Sequence, residues 1–88
     1  MKKRTVYFTY IVRCADGTFY TGMTWNILQR MKQHNGELAG GAKYTKIRRP
    51  VILQYFEEHE TYKLAAQREN QLKKYSHKKK MMLCINKD

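Results

Sequence analysis

Acidic residues are scarce: seven Asp and Glu stand against 18 Lys and Arg, a formal net charge of +11 over 88 residues. Proline occurs once, glycine five times and cysteine twice. So little proline and glycine excludes a collagenous or linker-like chain. Cys14 and Cys84 are too few and too far apart for a disulfide framework or a zinc knuckle. They read as small buried apolar side chains in a reducing cytoplasm. No apolar run approaches the ~20 residues of a membrane span. The basic start, Met1 to Arg4, precedes an apolar run that Tyr7, Thr9 and Tyr10 interrupt and Arg13 ends, with no small-residue cleavage site, so it is not read as a secretory signal. The expectation is a cytoplasmic protein without a membrane partner. Val, Ile, Leu and Phe number only 17, near the ~20% below which a highly charged chain stays disordered. Seven Tyr, five Met and a Trp restore the balance towards a folded chain. The length allows one domain, residues 1–88, burying only about 60–65% of its unfolded surface.

An excess of eleven positive charges repels itself in the compact state and calls for a polyanionic partner. Nucleic acid fits better than an anionic membrane, because no long amphipathic helix with a wide apolar face is evident.

Val6 to Val12 are all β-branched or aromatic, the composition of a strand buried on both faces. Ala15-Asp16-Gly17 signals a turn, and Thr18 to Gly22 reads as the return strand. A two-residue turn would pair Arg13 with Tyr20. A three-residue turn with Gly17 in the left-handed region would pair Val12 with Tyr20 and bring Tyr10 and Tyr20 onto one face, and this register is expected. Thr24 or Asn26 caps a helix with Ile27, Leu28 and Met31 as its apolar positions, ending near Asn35-Gly36. Arg30 and His34, four apart, share a face. Residues 36–50 read as a long, mobile, cationic connection. Val51 to Phe56 forms a third strand. Thr61 caps a helix to about Tyr75 with an inward stripe of Tyr62, Ala65, Ala66, Glu69 and Leu72, and Ser76 caps a last short helix. The order β-β-α-β-α-α predicts an α+β fold, a three-stranded antiparallel sheet flanked by helices.

Glu69 is the most informative position. A carboxylate among apolar helix neighbours is desolvated unless a cation meets it. Arg30, Lys73 or a metal could do so, and Mg²⁺ or Mn²⁺ often takes only one or two protein carboxylates. Tyrosines on a strand face are ordinary core residues with the hydroxyl at the rim, and a phenol serves as general base only if cations lower its pKa of about 10. His34, His59 and His77 lack metal-ligand spacing. Lys43, Lys46, Arg48 and Arg49, interleaved with Tyr44, form a candidate backbone-contact loop, and the Lys73-Lys74 and Lys78–Lys80 runs resemble it.

Phe8-Thr9-Tyr10, Tyr20-Thr21-Gly22, Arg30 and Glu69 resemble, in order and spacing, the GIY-YIG nuclease superfamily. The likeness spans nearly the whole chain. It is closest to the small stand-alone bacterial proteins of this superfamily, which are related to the N-terminal nuclease domain of the excision-repair incision subunit. Arg13-Cys14-Ala15-Asp16-Gly17 and Gly41-Ala42-Lys43-Tyr44-Thr45 with Arg48-Arg49-Pro50 recur there. The resemblance implies a metal-dependent endonuclease acting on DNA, with RNA as the alternative nucleic acid, through backbone contacts. Tyr20 would help activate water, Tyr10 would assist, and Gly22 would leave room near the site. Arg30 would stabilise phosphate charge. Glu69 would hold a single Mg²⁺ or Mn²⁺, and His34 stands where relatives carry Tyr or His. The first triplet lacks its glycine, and Met23 follows Gly22 where relatives often carry Lys. These departures leave two other readings, a non-catalytic nucleic-acid-binding module and a protein-interaction domain.

Overall fold

A computed structural model describes residues 6–85. The basic stretch at residues 1–4 lies outside the described residues. The order is β1 (Tyr7–Arg13), β2 (Phe19–Thr24), α1 (Ile27–His34), α2 (Lys43–Lys46), β3 (Ile52–His59), α3 (Tyr62–Lys73) and α4 (His77–Ile85). The strands form one antiparallel sheet in the order β2-β1-β3, as expected for the α+β arrangement.

The hairpin adopts the expected register, Val12 opposite Tyr20 and Tyr10 opposite Gly22. Its turn is closed by Cys14 N–H donating to the Thr18 carbonyl (2.8 Å), with Gly17 at φ +83°. Glycine holds that left-handed position without a Cβ penalty. Asp16 braces the turn by accepting from both the Thr18 amide and the Thr18 hydroxyl.

The even residues of β1 and the odd ones face opposite layers. Tyr10 and Val12 pack with Cys14, Val51, Tyr20, Leu53 and, from α1, Ile27 and Met31. Ile11 packs with Leu72 of α3 and Cys84 of α4, flanked by Phe19, Tyr55, Tyr75 and Leu83. Thr9 donates its hydroxyl to the Ala65 carbonyl (2.8 Å), fixing α3 against β1. Burying each large apolar side chain stabilises by roughly 1.5–3 kcal/mol, and both layers draw on the same central strand.

Between Ile11 and Val12 the pairing with β3 shifts by one residue: Tyr55 faces Ile11, Leu53 faces Val12, and Gln54 is the extra residue of a β-bulge. Beyond it, Val51 is clamped by Asn35, whose side chain accepts from the Val51 amide (2.7 Å) and donates to its carbonyl (3.0 Å).

Helix starts follow the expected caps. Asn26 accepts from the Gln29 amide, Thr61 from Leu64 and Ser76 from Lys79. Three expectations are corrected. Leu28, placed on the apolar face of α1, is 77% exposed, because of its three apolar positions only Ile27 and Met31 pack against the sheet. Tyr62, placed in the inward stripe of α3, is 63% exposed, because at the first position of α3 its ring meets only the edge of Tyr7, whereas Ala65 is buried against β1. Residues 36–50 are not an unstructured connection. They contain α2, whose Thr45 is fully buried and hydrogen-bonded, and the segment is tied to α1 and the hairpin. Among the described residues no helix is long and apolar enough to cross a membrane.

Candidate active site

Arg30 and His34, one turn apart on α1, both reach the hydroxyl of Tyr10 on β1. Tyr10 Oη lies 2.7 Å from His34 Nε2, and Arg30 Nε donates to the same hydroxyl over 3.4 Å. His34 Nδ1 lies 2.9 Å from Thr45 Oγ1, and Thr45 donates its hydroxyl proton to the Ala42 carbonyl (3.0 Å). With its one proton so placed, Thr45 accepts from His34 Nδ1–H. His34 Nε2 is then the lone-pair nitrogen that accepts from Tyr10. The chain of bonds therefore has one direction, from Arg30 through Tyr10 and His34 to the Ala42 carbonyl. Tyr10, His34 and Thr45 are all completely buried.

Burial sets the protonation states. It lowers the His34 pKa to about 4, with the Arg30 and Arg49 charges acting in the same direction, so the imidazole is neutral at pH 7. Burial raises the Tyr10 hydroxyl to about 12 against the opposing pull of Arg30. Tyr10 is thus a fixed, protonated donor rather than a base. Tyr20 and Glu69 both act on that hydroxyl electrostatically, each raising its pKa. Tyr10, Tyr20, Arg30 and Glu69 consequently share one electrostatic neighbourhood.

Gly22 lies directly across from Tyr10. A Cβ there would stand 2.5 Å from Tyr10 Oη and 2.7 Å from Cζ. The glycine leaves room for the phenol ring of Tyr10.

Tyr20 sits edge-on to the His34 ring (centroids 5.3 Å) and stacks on Tyr44 (5.8 Å, 26°). The Arg48 guanidinium caps Tyr44 at 3.9 Å and bonds Asp16 (3.0 Å) and the Tyr44 carbonyl (2.9 Å). Arg49 donates to the His34 carbonyl (2.7 Å). Tyr44, Arg48 and Arg49 are therefore anchored to the site, whereas Lys43 and Lys46 are exposed beside it. The Tyr20 hydroxyl makes no hydrogen bond to a described residue, in contrast to the doubly bonded Tyr10.

Arg30 is braced from a second direction: its Nη1 donates to Gln33 Oε1 (2.9 Å) and the Gly40 carbonyl (2.8 Å). Glu69 is half-buried and meets Lys73 Nζ at 3.4 Å, one turn along α3. Of the partners expected for it, Lys73 is the one in contact, and Lys73 is itself half-exposed. Such a pair in water is weak and easily exchanged. Among the described residues no three His, Cys, Asp or Glu side chains come together. A divalent ion at Glu69 would therefore have a single carboxylate from this chain and would need water and phosphate oxygens to complete its shell.

Sequence reasoning missed Thr45 and Gln33. Thr45 closes the run Gly41-Ala42-Lys43-Tyr44-Thr45, singled out above for its likeness to related proteins, and that run was the available signal. Gln33 offered none.

Residues 6–82 match the GIY-YIG catalytic domain. The chain is 47% identical over 77 residues to a UPF0213 protein of Staphylococcus aureus strain Mu3, covering 88% of this chain and 92% of that one. Among solved structures it is similar to the UPF0213 protein BH0048 of Bacillus halodurans (TM-score 0.59, 35% identity, 93% of this chain and 85% of that one). It is also similar to EF2693 of E. faecalis (TM-score 0.59, 38% identity, 91% and 83%).

Proposed function

We propose, from the premise that this chain belongs to the GIY-YIG family and to its small UPF0213 branch, that it is a metal-dependent endonuclease cutting DNA phosphodiesters. Family membership gives nuclease chemistry on nucleic acid as the class of activity. The finer reading rests on one observation: Arg30 is braced against the hydroxyl of Tyr10, which is locked in a buried relay, while Tyr20, edge-on to the His34 ring of that relay, makes no hydroxyl hydrogen bond to a described residue.

In this reading the scissile phosphate lies against Arg30, whose remaining guanidinium hydrogens stabilise the charge that builds on phosphorus-bound oxygen. Tyr20 helps to orient and activate the water that attacks phosphorus as the bond to the leaving oxygen breaks. Tyr10, held protonated, fixes Arg30 and the strand under it. Glu69 would hold Mg²⁺ or Mn²⁺ once Lys73 swings away. Bound there, the ion would stabilise negative charge on the phosphate and leaving oxygen. Lys43 and Lys46 extend the site as backbone contacts, with Tyr44, Arg48 and Arg49 forming its floor, and RNA is a possible second substrate of such backbone-directed binding.

Nicking of supercoiled and branched DNA with Mg²⁺ or Mn²⁺ tests the reading. Tyr20→Phe and Glu69→Gln should each lower the cleavage rate by at least about a hundredfold while DNA binding is kept. Unchanged cleavage in both variants would overturn the assigned roles. Salt-sensitive binding with no metal-dependent cut on any DNA form would favour the non-catalytic module instead.

A further inference from the structure

Beside Arg30 runs an open groove of about 370 Å³ that the mechanism above does not use. That volume falls within the range of about 300–1,000 Å³ typical of small-ligand sites. Three aromatic side chains wall it: Tyr7 at the start of β1, Trp25 just after β2, and Tyr62 at the first position of α3. Arg30, Gln29 and Gln33 of α1 line it as well. Trp25 is 64% exposed and Tyr62 63% exposed. Tyr7 and Tyr62 meet edge to face at 5.9 Å, which steadies the Tyr62 ring while leaving it open to solvent.

Single exposed aromatic residues are ordinary surface, but three around one groove are not scattered. The chemistry of the lining favours one occupant. Flat π-faces bind flat π-faces, glutamine amides offer both donors and acceptors to a base edge, and Arg30 meets the phosphate attached to it. A protein of net charge +11 draws a polyanionic strand to this wall rather than another basic chain. The groove is also continuous with the candidate active site, because Arg30 belongs to both.

We propose that the Tyr7–Trp25–Tyr62 groove is a subsite for an unstacked nucleobase, holding the nucleotide next to the scissile phosphate. The proposal rests on the nucleic-acid reading above and extends it: the preferred strand presents an unpaired base at the cut, as an open strand, a branch or a flap does. A blunt duplex keeps its bases stacked and leaves the groove empty. Stacking on aromatic side chains tolerates any base, so the subsite selects unpaired structure and not sequence.

Trp25 is the sole tryptophan of the chain, so its fluorescence reports on the groove alone. The experiment titrates the full protein, in EDTA so that cleavage is silent, with a short oligothymidylate, an abasic strand of equal length and a blunt duplex. Oligothymidylate should quench Trp25, and the other two should bind without quenching. Trp25→Ala and Tyr62→Ala, both at exposed positions, should weaken oligothymidylate binding by roughly five- to hundredfold each, read by anisotropy of a labelled strand. Abasic-strand binding should stay within about twofold, with unchanged melting temperature. Quenching of equal size by the abasic strand, or variants that weaken both strands alike, would overturn the subsite and leave the nuclease reading standing. Failure of all three nucleic acids to bind would overturn both.

Discussion

The hydroxyl of Thr45 has a single proton to give, and the Ala42 carbonyl takes it. That one assignment propagates: His34 must donate from Nδ1, so its Nε2 must accept from Tyr10. Thr45→Val keeps the shape and removes the acceptor, leaving a buried N–H unmatched. The expected result is a loss of about 1–3 kcal/mol in stability and a visible change in the His34 ring nitrogen shifts by NMR, whereas Thr45→Ser should restore both. At this same scale the sequence was only partly legible. Tyr10, Tyr20, Arg30 and Glu69 could be picked out because their order and spacing resemble a known pattern. The relay through Thr45 could not be, because nothing in a threonine eleven residues after a histidine says that the two will be buried together. Likewise the protonated state of Tyr10 follows from enclosure, and enclosure is not written in local sequence.

At the scale of elements, local chemistry was the best guide. The Asp16-Gly17 turn, the Asn26, Thr61 and Ser76 caps and the hairpin register all follow from neighbours within four residues of one another. What periodicity does not reveal is which other element a face will meet, and the exposed Leu28 and Tyr62 and the unforeseen α2 share that cause. So does the tie between β3 and α3. Arg68 donates to both oxygens of Glu57 (2.9 and 3.0 Å), while Tyr55 and His59 also bond that carboxylate. The Arg68 hydrogen bonds hold the Glu57 carboxyl below its usual range against the pull of burial, and burial with the Glu57 contact lifts the Tyr55 phenol to about 12. Arg68→Met strands this carboxylate half-buried, and a loss of about 1–3 kcal/mol is expected in chemical denaturation. Glu57→Gln combined with Arg68→Met should recover part of it, which a double-mutant cycle would read.

For the whole molecule, two bulk properties follow from the charge and the buried histidine. His34 titrates near 4 when folded and near 6.5 when unfolded, so the unfolded chain binds the extra proton between those values. The stability it contributes is complete above about pH 6.5 and is lost as pH falls towards 4, by about 3 kcal/mol in all. Melting followed from pH 7 to pH 4 checks this, and His34→Gln should flatten that limb. The basic surface gives the second property. If five of its cations meet phosphates, log K should fall with log salt at a slope of about −4.5, measurable by anisotropy on duplex DNA under non-cleaving conditions.

The bulge at Gln54 makes β3 one residue longer than its partner requires, and that surplus acts at a distance. Just before the strand, Val51 is bonded by the Asn35 side chain, and Asn35 closes the very turn of helix on which His34 stands. Straightening the strand would let that turn drift, and with it the imidazole against which Tyr10 rests. A single unpaired link, well away from any chemistry, thus serves as the set-screw for the height of the histidine.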